Sequence, residues 1–156
     1  MRKIIGILVL AIGFGFTSGL STQQVSWSTW NNGWAAAKQN NKIALIDAYT
    51  DWCGWCKKMD KTTYENELIV SKIKESFIPI KFNPELDGLY QVGDTMISGP
   101  QLLAALSQGK SSGFPTTFFY VPSTNQMYQY PGYQDATAFG KILDEMILAH
   151  AKGKQK

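Results

Sequence analysis

Residues 43–67 read IALIDAYTDWCGWCKKMDKTTYENE, and the fold is decided here. Ile43 to Tyr49 is short and mostly apolar, the pattern of a strand covered on both faces of a sheet. Asp47 is its one charge. Cys53-Gly54-Trp55-Cys56 follows at once, and then a run of helix-forming residues. Strand end, cysteine pair and helix start are therefore contiguous. Ile69, Val70, Ile73 and Phe77 continue at helical spacing, and Phe77 to Phe82 (FIPIKF) reads as the next strand. Strand, long helical crossover and strand make a βαβ unit with parallel strands.

Upstream, Ser26 to Asn40 predicts an amphipathic helix with Trp27, Trp30, Trp34 and Ala37 as a core-facing stripe. Downstream, Pro84 to Gly113 is rich in turn residues and carries one helix near Pro100 to Ser107. There Pro100 suits the first turn, Leu102, Leu103 and Leu106 share a face, and Gly109 suits the stop. Thr116 to Val121 and Met127 to Tyr130 form the arms of a hairpin turned at Pro122 to Gln126. Asp135 can cap a last helix whose Phe139, Ile142, Leu143, Met146 and Ile147 lie on one face. The order describes an α/β sandwich in which two parallel strands join an antiparallel hairpin. Repeats and low-complexity segments are absent.

The N-terminus reads differently. Arg2 and Lys3 precede an uncharged run from Ile4 to Phe16, followed by the small residues Thr17, Ser18 and Gly19. This is a signal-peptide pattern, and the run is short against the roughly 20 apolar residues of a spanning helix. The expectation is a signal peptide over residues 1–21, cleaved near 19–22, with one domain over 22–156 and an exported, periplasmic or extracytoplasmic location. A retained N-terminal anchor is the alternative. No cysteine follows the apolar run, so a lipid anchor at that point is excluded.

The chain has 156 residues, 44% hydrophobic and 17% charged, enough for one domain with a core. Removing Arg2 and Lys3 takes the net charge from +3 to about +1. That near-balance argues against a nucleic-acid partner, which would want a basic stripe. Lys152, Lys154 and Lys156 form the one dense basic cluster, read as a solvated end.

The two cysteines admit three uses. A zinc site wants about four ligands, and the chain offers two cysteines and a distant His150. A structural staple across so short a loop contributes only about 2 kcal/mol in the chain-entropy picture. A redox pair is the use that needs adjacent thiols. At a helix N-terminus the free N–H groups and the dipole stabilise a thiolate, lowering the thiol pKa from about 8.5. Cys53 is then the attacking thiol, and Cys56, one turn on, is the shielded resolving thiol. Lys57 and Lys58 either favour the thiolate or are solvated surface. No metal or other cofactor is called for.

Trp52-Cys53-Gly54-Trp55-Cys56-Lys57 resembles the thioredoxin active-site motif. Further matches follow in order. Asp47, six residues before Cys53, stands where that family has a buried aspartate. Lys81 and Asn83 match its partner lysine and the polar residue beyond. Gly113-Phe114-Pro115-Thr116 matches its cis-proline segment, and Gly132 matches a glycine near the last strand. The resemblance covers about Ile43 to His150. It implies a thioredoxin-like three-layer α/β/α sandwich with a mixed sheet, and a protein-disulfide oxidoreductase. Cys53 and Cys56 would be catalytic and form the redox disulfide. Asp47 and Lys81 would tune the thiols, and Trp52, Gly54, Trp55, Phe114 and Pro115 would bind substrate.

These expectations carry physical reasons. A carboxyl in a buried strand has a raised pKa and can accept a proton from Cys56; a structural, backbone-bonded aspartate is the alternative. Lys81 would offset its charge or be a surface lysine. A cis Pro115 would present the backbone of Phe114 to an extended substrate, or be an ordinary turn proline. Trp52, Trp55 and Phe114 would make an apolar rim around the sulfurs.

Two departures from the family leave questions open. Trp55 replaces the proline or histidine usual before the second cysteine, which leaves the direction of electron flow undecided. The span from Lys81 to Pro115 is also longer than in a minimal thioredoxin. Three functions therefore compete: a disulfide reductase recharged by a membrane or periplasmic thiol donor, an oxidase or isomerase on the same scaffold, and a non-catalytic binding module. Partners in the first two are protein or peptide disulfides.

Overall fold

A computed structural model describes residues 24–110 and 113–155. The signal peptide expected over residues 1–21 lies outside the described residues. The elements run α1 (Trp30–Gln39), β1 (Ile43–Ala48), α2 (Gly54–Thr62), α3 (Glu67–Ser76), β2 (Phe77–Phe82), β3 (Leu89–Val92), β4 (Thr95–Ser98), α4 (Gly99–Leu106), β5 (Thr116–Val121), β6 (Gln126–Pro131) and α5 (Ala136–Gly153).

The central sheet has the order β2-β1-β5-β6. β1 pairs parallel with β2 and antiparallel with β5, and β5 pairs antiparallel with β6. β1 is buried throughout because both faces are covered. Side chains alternate across a strand. Ile43 and Leu45 thus join a cluster with Met59 of α2, Ile69 and Ile73 of α3, and Phe139, Leu143 and Met146 of α5. Ala44, Ile46 and Ala48 join the other, with Trp30 and Ala37 of α1 and Leu102 and Leu106 of α4. The result is the expected α/β/α sandwich with a mixed sheet. Phe77, Phe119 and Phe139 meet at the centre of the first cluster, each at most 2% exposed. Burial contributes about 1.5–3 kcal/mol for each such side chain, more than the helix propensity of any residue in α5.

The first helix begins later than its periodicity predicts. Ser28 forms an isolated parallel bridge with Ile80, its N–H donating to the Pro79 carbonyl at 2.9 Å and its carbonyl accepting from Lys81 N–H at 3.1 Å. With that backbone committed to the sheet edge, Trp27 and Trp30 fall on opposite faces. Trp27 packs edge-on against Tyr64, centroids 4.8 Å apart, while Trp30 stacks on Trp34 at 5.0 Å. Trp27 therefore leaves the predicted stripe.

Past the motif the helical stretch is broken. Asn66 caps α3 by accepting from the amides of Leu68 and Ile69. Asp135 caps α5, accepting from Ala138 N–H at 2.8 Å. The span after β2 holds more than the predicted helix, because β3 and β4 form a separate antiparallel hairpin. Gly99 opens α4 directly against the Pro84 backbone; a Cβ there would lie 2.3 Å from the Pro84 oxygen. That close approach fastens the segment beside the end of β2.

Candidate active site

The motif sits where β1 ends and α2 begins. Cys53 is the N-cap of α2, with extended backbone, and its Sγ accepts the Cys56 N–H at 3.0 Å. Cys53 and Cys56 are joined by a disulfide, with Cα atoms 5.3 Å apart. The first-turn amides of a helix have no internal acceptor, so a sulfur placed there meets a donor and the positive end of the dipole. The expected contrast between an open Cys53 and a shielded Cys56 is not present in this oxidised form. They are 4% and 3% exposed, since the S–S bond holds both sulfurs in one place. Trp52 and Trp55 stand out at 68% and 57% exposure. Gly54 is exposed, with open space where a Cβ would point.

Asp47 lies on the same face of β1 as Ile43 and Leu45, the face covered by α2. It is 1% exposed, and the parallel register sets it opposite Lys81. Lys81 Nζ donates to Asp47 Oδ2 at 2.6 Å. Asp47 Oδ1 has no hydrogen-bond partner among the described residues, and neither has the buried hydroxyl of Thr50. Burial pushes the Asp47 carboxyl above its ordinary value, and the Lys81 charge only partly opposes this. For Lys81 burial pulls the other way, but Asp47 and Asp60 outweigh it and its pKa is raised. Tyr64, fully buried beside this group, is pushed well above the usual tyrosine range by burial and then by the Asp47 charge. Lys81 is thus a partner of Asp47 rather than a surface lysine.

The Phe114–Pro115 bond is cis, as the motif implies. Pro115 is buried, and its carbonyl accepts the Gly132 N–H at 2.8 Å, with Gly132 at φ +83°. A left-handed conformation of that kind suits glycine. Phe114 is half-buried and meets Trp52 edge-on at 6.0 Å, which brings the proline loop to the cysteine motif. Thr116, the next residue, pairs with Ala48 at the end of β1.

Several residues here escaped the sequence reading. Asp60 also binds Lys81, making a carboxylate–ammonium–carboxylate group that runs from the buried Asp47 to an Asp60 side chain 43% exposed. Its spacing of seven from Cys53 places it on the same helix face, a signal that was available. Glu85 accepts the Trp52 indole N–H, at 2.9 and 3.1 Å to its two oxygens, and no local pattern announces that contact. Lys58 is exposed and lays its ammonium against two aromatic rings. Its Nζ lies 4.7 Å from the Trp55 ring centroid and 4.8 Å from that of Tyr133. Lys57 is exposed. Among the described residues no three or more His, Cys, Asp and Glu side chains are grouped so as to hold a metal ion, and no helix is long and apolar enough to cross a membrane.

Comparison with known proteins agrees with this geometry. A family profile described as Thioredox_DsbH, protein of unknown function, DUF255, matches residues 16–152. A thiol:disulfide interchange protein DsbD of Haemophilus influenzae is 27% identical over 113 residues, covering 71% of this chain and 17% of that protein. The chain thus spans less than a fifth of that relative's length. Among solved structures, a thioredoxin from Thermus thermophilus superposes with a TM-score of 0.64 at 15% identity, over 81% of this chain and 90% of that one. A DsbH oxidoreductase superposes with a TM-score of 0.59 at 17% identity, over 83% and 89%. At these identities the structural likeness speaks for the fold.

Proposed function

Since the chain belongs to the thioredoxin-like Thioredox_DsbH family, we propose that it is a thiol–disulfide oxidoreductase that reduces protein or peptide disulfides outside the cytoplasm. The observation that carries this reading is Cys53 Sγ at the N-cap of α2, receiving the Cys56 N–H. A donor aimed at sulfur favours its ionised form, and the thiolate is the nucleophile.

The reaction starts from the dithiol. Cys53 loses its proton and its thiolate attacks one sulfur of the substrate disulfide. A Cys53–substrate bond forms as the substrate S–S bond breaks, and the other substrate sulfur leaves as a thiolate that takes up a proton. Cys56 then gives its proton to Asp47 and attacks Cys53 Sγ. The intramolecular disulfide forms and the second substrate sulfur departs. Two electrons have passed to the substrate, and the protein ends with Cys53 and Cys56 joined. A membrane or periplasmic dithiol donor restores the starting state by the same exchange. The raised pKa and unpartnered Oδ1 of Asp47 support its role as proton acceptor, with Lys81 tuning it. Trp52, Gly54, Trp55 and Phe114 would receive the substrate, with Pro115 fixing the backbone before it. The signal-peptide pattern of residues 1–21 supports an exported location.

The assay is reduction of a protein disulfide by the exported protein with dithiothreitol as donor. Turnover abolished by Cys53→Ser, and mixed disulfides captured by Cys56→Ser, are the expected results. Turnover undiminished in Cys53→Ser would overturn the reading. A reduction potential near about −270 mV fits a reductase, whereas one near about −120 mV would assign the opposite direction. Full cellular function of the Cys53→Ser/Cys56→Ser double variant would instead assign a binding module.

A further inference from the structure

Residues 84–109 carry Glu85, Asp87 and Asp94 and no lysine or arginine. All three acidic side chains are exposed, as is Asp51 beside Trp52. The same segment exposes large apolar side chains: Leu86 at 52%, Leu89 at 59% and Met96 at 50%. Single exposed leucines are ordinary on a protein surface. Several within one short segment, whose Glu85 holds the exposed Trp52, are a different matter, because grouped apolar surface marks an interaction site. The hairpin pairing puts Leu89 opposite Ser98 and Gln91 opposite Met96. Leu89 and Met96 are therefore diagonal neighbours on its outer face, while Tyr90, Val92 and Ile97 pack inward against the core.

This segment begins at the active-site rim and is held in place. Glu85 takes the Trp52 indole N–H, and Asn83 Oδ1 takes the Glu85 backbone N–H at 2.9 Å. The Tyr90 hydroxyl donates to the Asn83 carbonyl at 3.2 Å. The Trp30 indole donates to the Gln91 carbonyl and Gln91 N–H donates to Asn31 Oδ1, each at 2.9 Å. Gly99 against Pro84 closes the base. A surface fastened at both ends loses little freedom when it binds.

We propose that residues 85–98 are a docking arm for the substrate, and that the preferred substrate is a polypeptide with lysine or arginine and apolar side chains flanking its disulfide. The exchange step rests on the function proposed above; the arm adds the substrate class. Charge complementarity selects the partner. Three carboxylates in a segment with no lysine or arginine, and with no ion pair among the described residues, attract basic side chains and repel acidic ones, and Leu86, Leu89 and Met96 supply the apolar contact. The other flank of the motif has the opposite sign, with exposed Lys57, Lys58 and Lys61 on α2. A bound segment is thereby oriented, its basic end toward the hairpin.

The test uses the reduced full chain and two synthetic peptide disulfides that share flanking leucines and differ in carrying lysine or glutamate beside the cysteines. The lysine peptide should be reduced about fivefold faster at low ionic strength, with the advantage shrinking in high salt. Asp87→Asn/Asp94→Asn should narrow the gap between the two rates. Leu89→Ser/Met96→Ser should slow both peptides and leave reduction of a small aromatic disulfide unchanged. Binding is read separately from the amide shifts of Leu89 and Met96, using the same peptides with alanine in place of cysteine. A Cys53–Cys56 pair that cannot exchange would abolish reduction of every disulfide while leaving the lysine-over-glutamate contrast in binding. Equal binding of the two peptides by the parent, or a contrast undiminished in Asp87→Asn/Asp94→Asn, would overturn the docking arm. Concentration-dependent shifts without peptide would reassign the surface to self-association.

Discussion

Replacing Asp47 by asparagine should make the protein more stable, and increasingly so as the pH rises. The carboxyl is 1% exposed, one oxygen is unpartnered, and burial holds its pKa above the 3.8 of an open aspartate. Between 3.8 and the raised native value the folded protein therefore binds more protons than the unfolded chain. Linkage then requires the parent's stability to fall with pH through that window, by at most about 1.4 kcal/mol per pH unit for one proton, and to stay lower above it. Asparagine does not titrate, so the variant escapes this loss. Removing one member of a buried ion pair ordinarily strands the other. Here Lys81 keeps Asp60 as partner and is itself partly exposed, so that penalty is small. Urea unfolding of the oxidised parent and variant between about pH 4 and 9, below the range in which lysine and tyrosine titrate, reads the difference. The expected curve rises with pH in favour of the variant and then levels, reaching on the order of 1 kcal/mol or more. A flat difference, or a parent that gains on the variant as pH rises, would mean that Lys81 overcomes burial, and the proton-acceptor role would lose its basis.

Other outcomes follow from single contacts. Asp60→Asn removes a neighbouring negative charge that helps raise the Asp47 pKa, so the Asp47 carboxyl should titrate lower, as read by carboxyl carbon NMR. Its effect on stability should stay below about 1 kcal/mol, because the Asp60 side chain is 43% exposed. Gly99→Ala drives a methyl into the Pro84 carbonyl and should cost about 1–3 kcal/mol in thermal unfolding, with loosened amide protection in β3 and β4. Asp135→Ala deletes the cap that accepts Ala138 N–H and should cost about 1 kcal/mol in a urea titration.

Where burial pattern and chemistry coincide, the sequence could be read closely. Phe77–Phe82 and Thr116–Val121 have the bounds expected, and Asp135 caps the last helix as its position implied. Asp47, Lys81 and the cis Phe114–Pro115 bond were legible because the motif fixes their order along the chain. What escaped depends on contacts between distant segments. Helical spacing alone could not reveal that Ser28 is taken by the edge of β2, which turns Trp27 to the other face. The β3–β4 hairpin is short, and its outward residues Leu89 and Met96 break the alternation of apolar inside and polar outside. Glu85 meets Trp52 across 33 positions, a distance that no local pattern reports.

The Asp47–Lys81 pairing bears on how the chain finds its sheet as well as on thiol chemistry. β1 is apolar at every position but one, and a strand without alternation says little about which side should face which layer. A slip of one residue would turn Asp47 away from Lys81 toward the apolar cluster of Trp30, Phe82 and Phe118, and would put Ala44 into a space sized for Ile43 or Leu45. Amide exchange in β1 should therefore be less protected in Asp47→Leu than in Asp47→Asn. A group that weakens the finished protein is thus the marker by which an otherwise ambiguous strand is threaded the right way round.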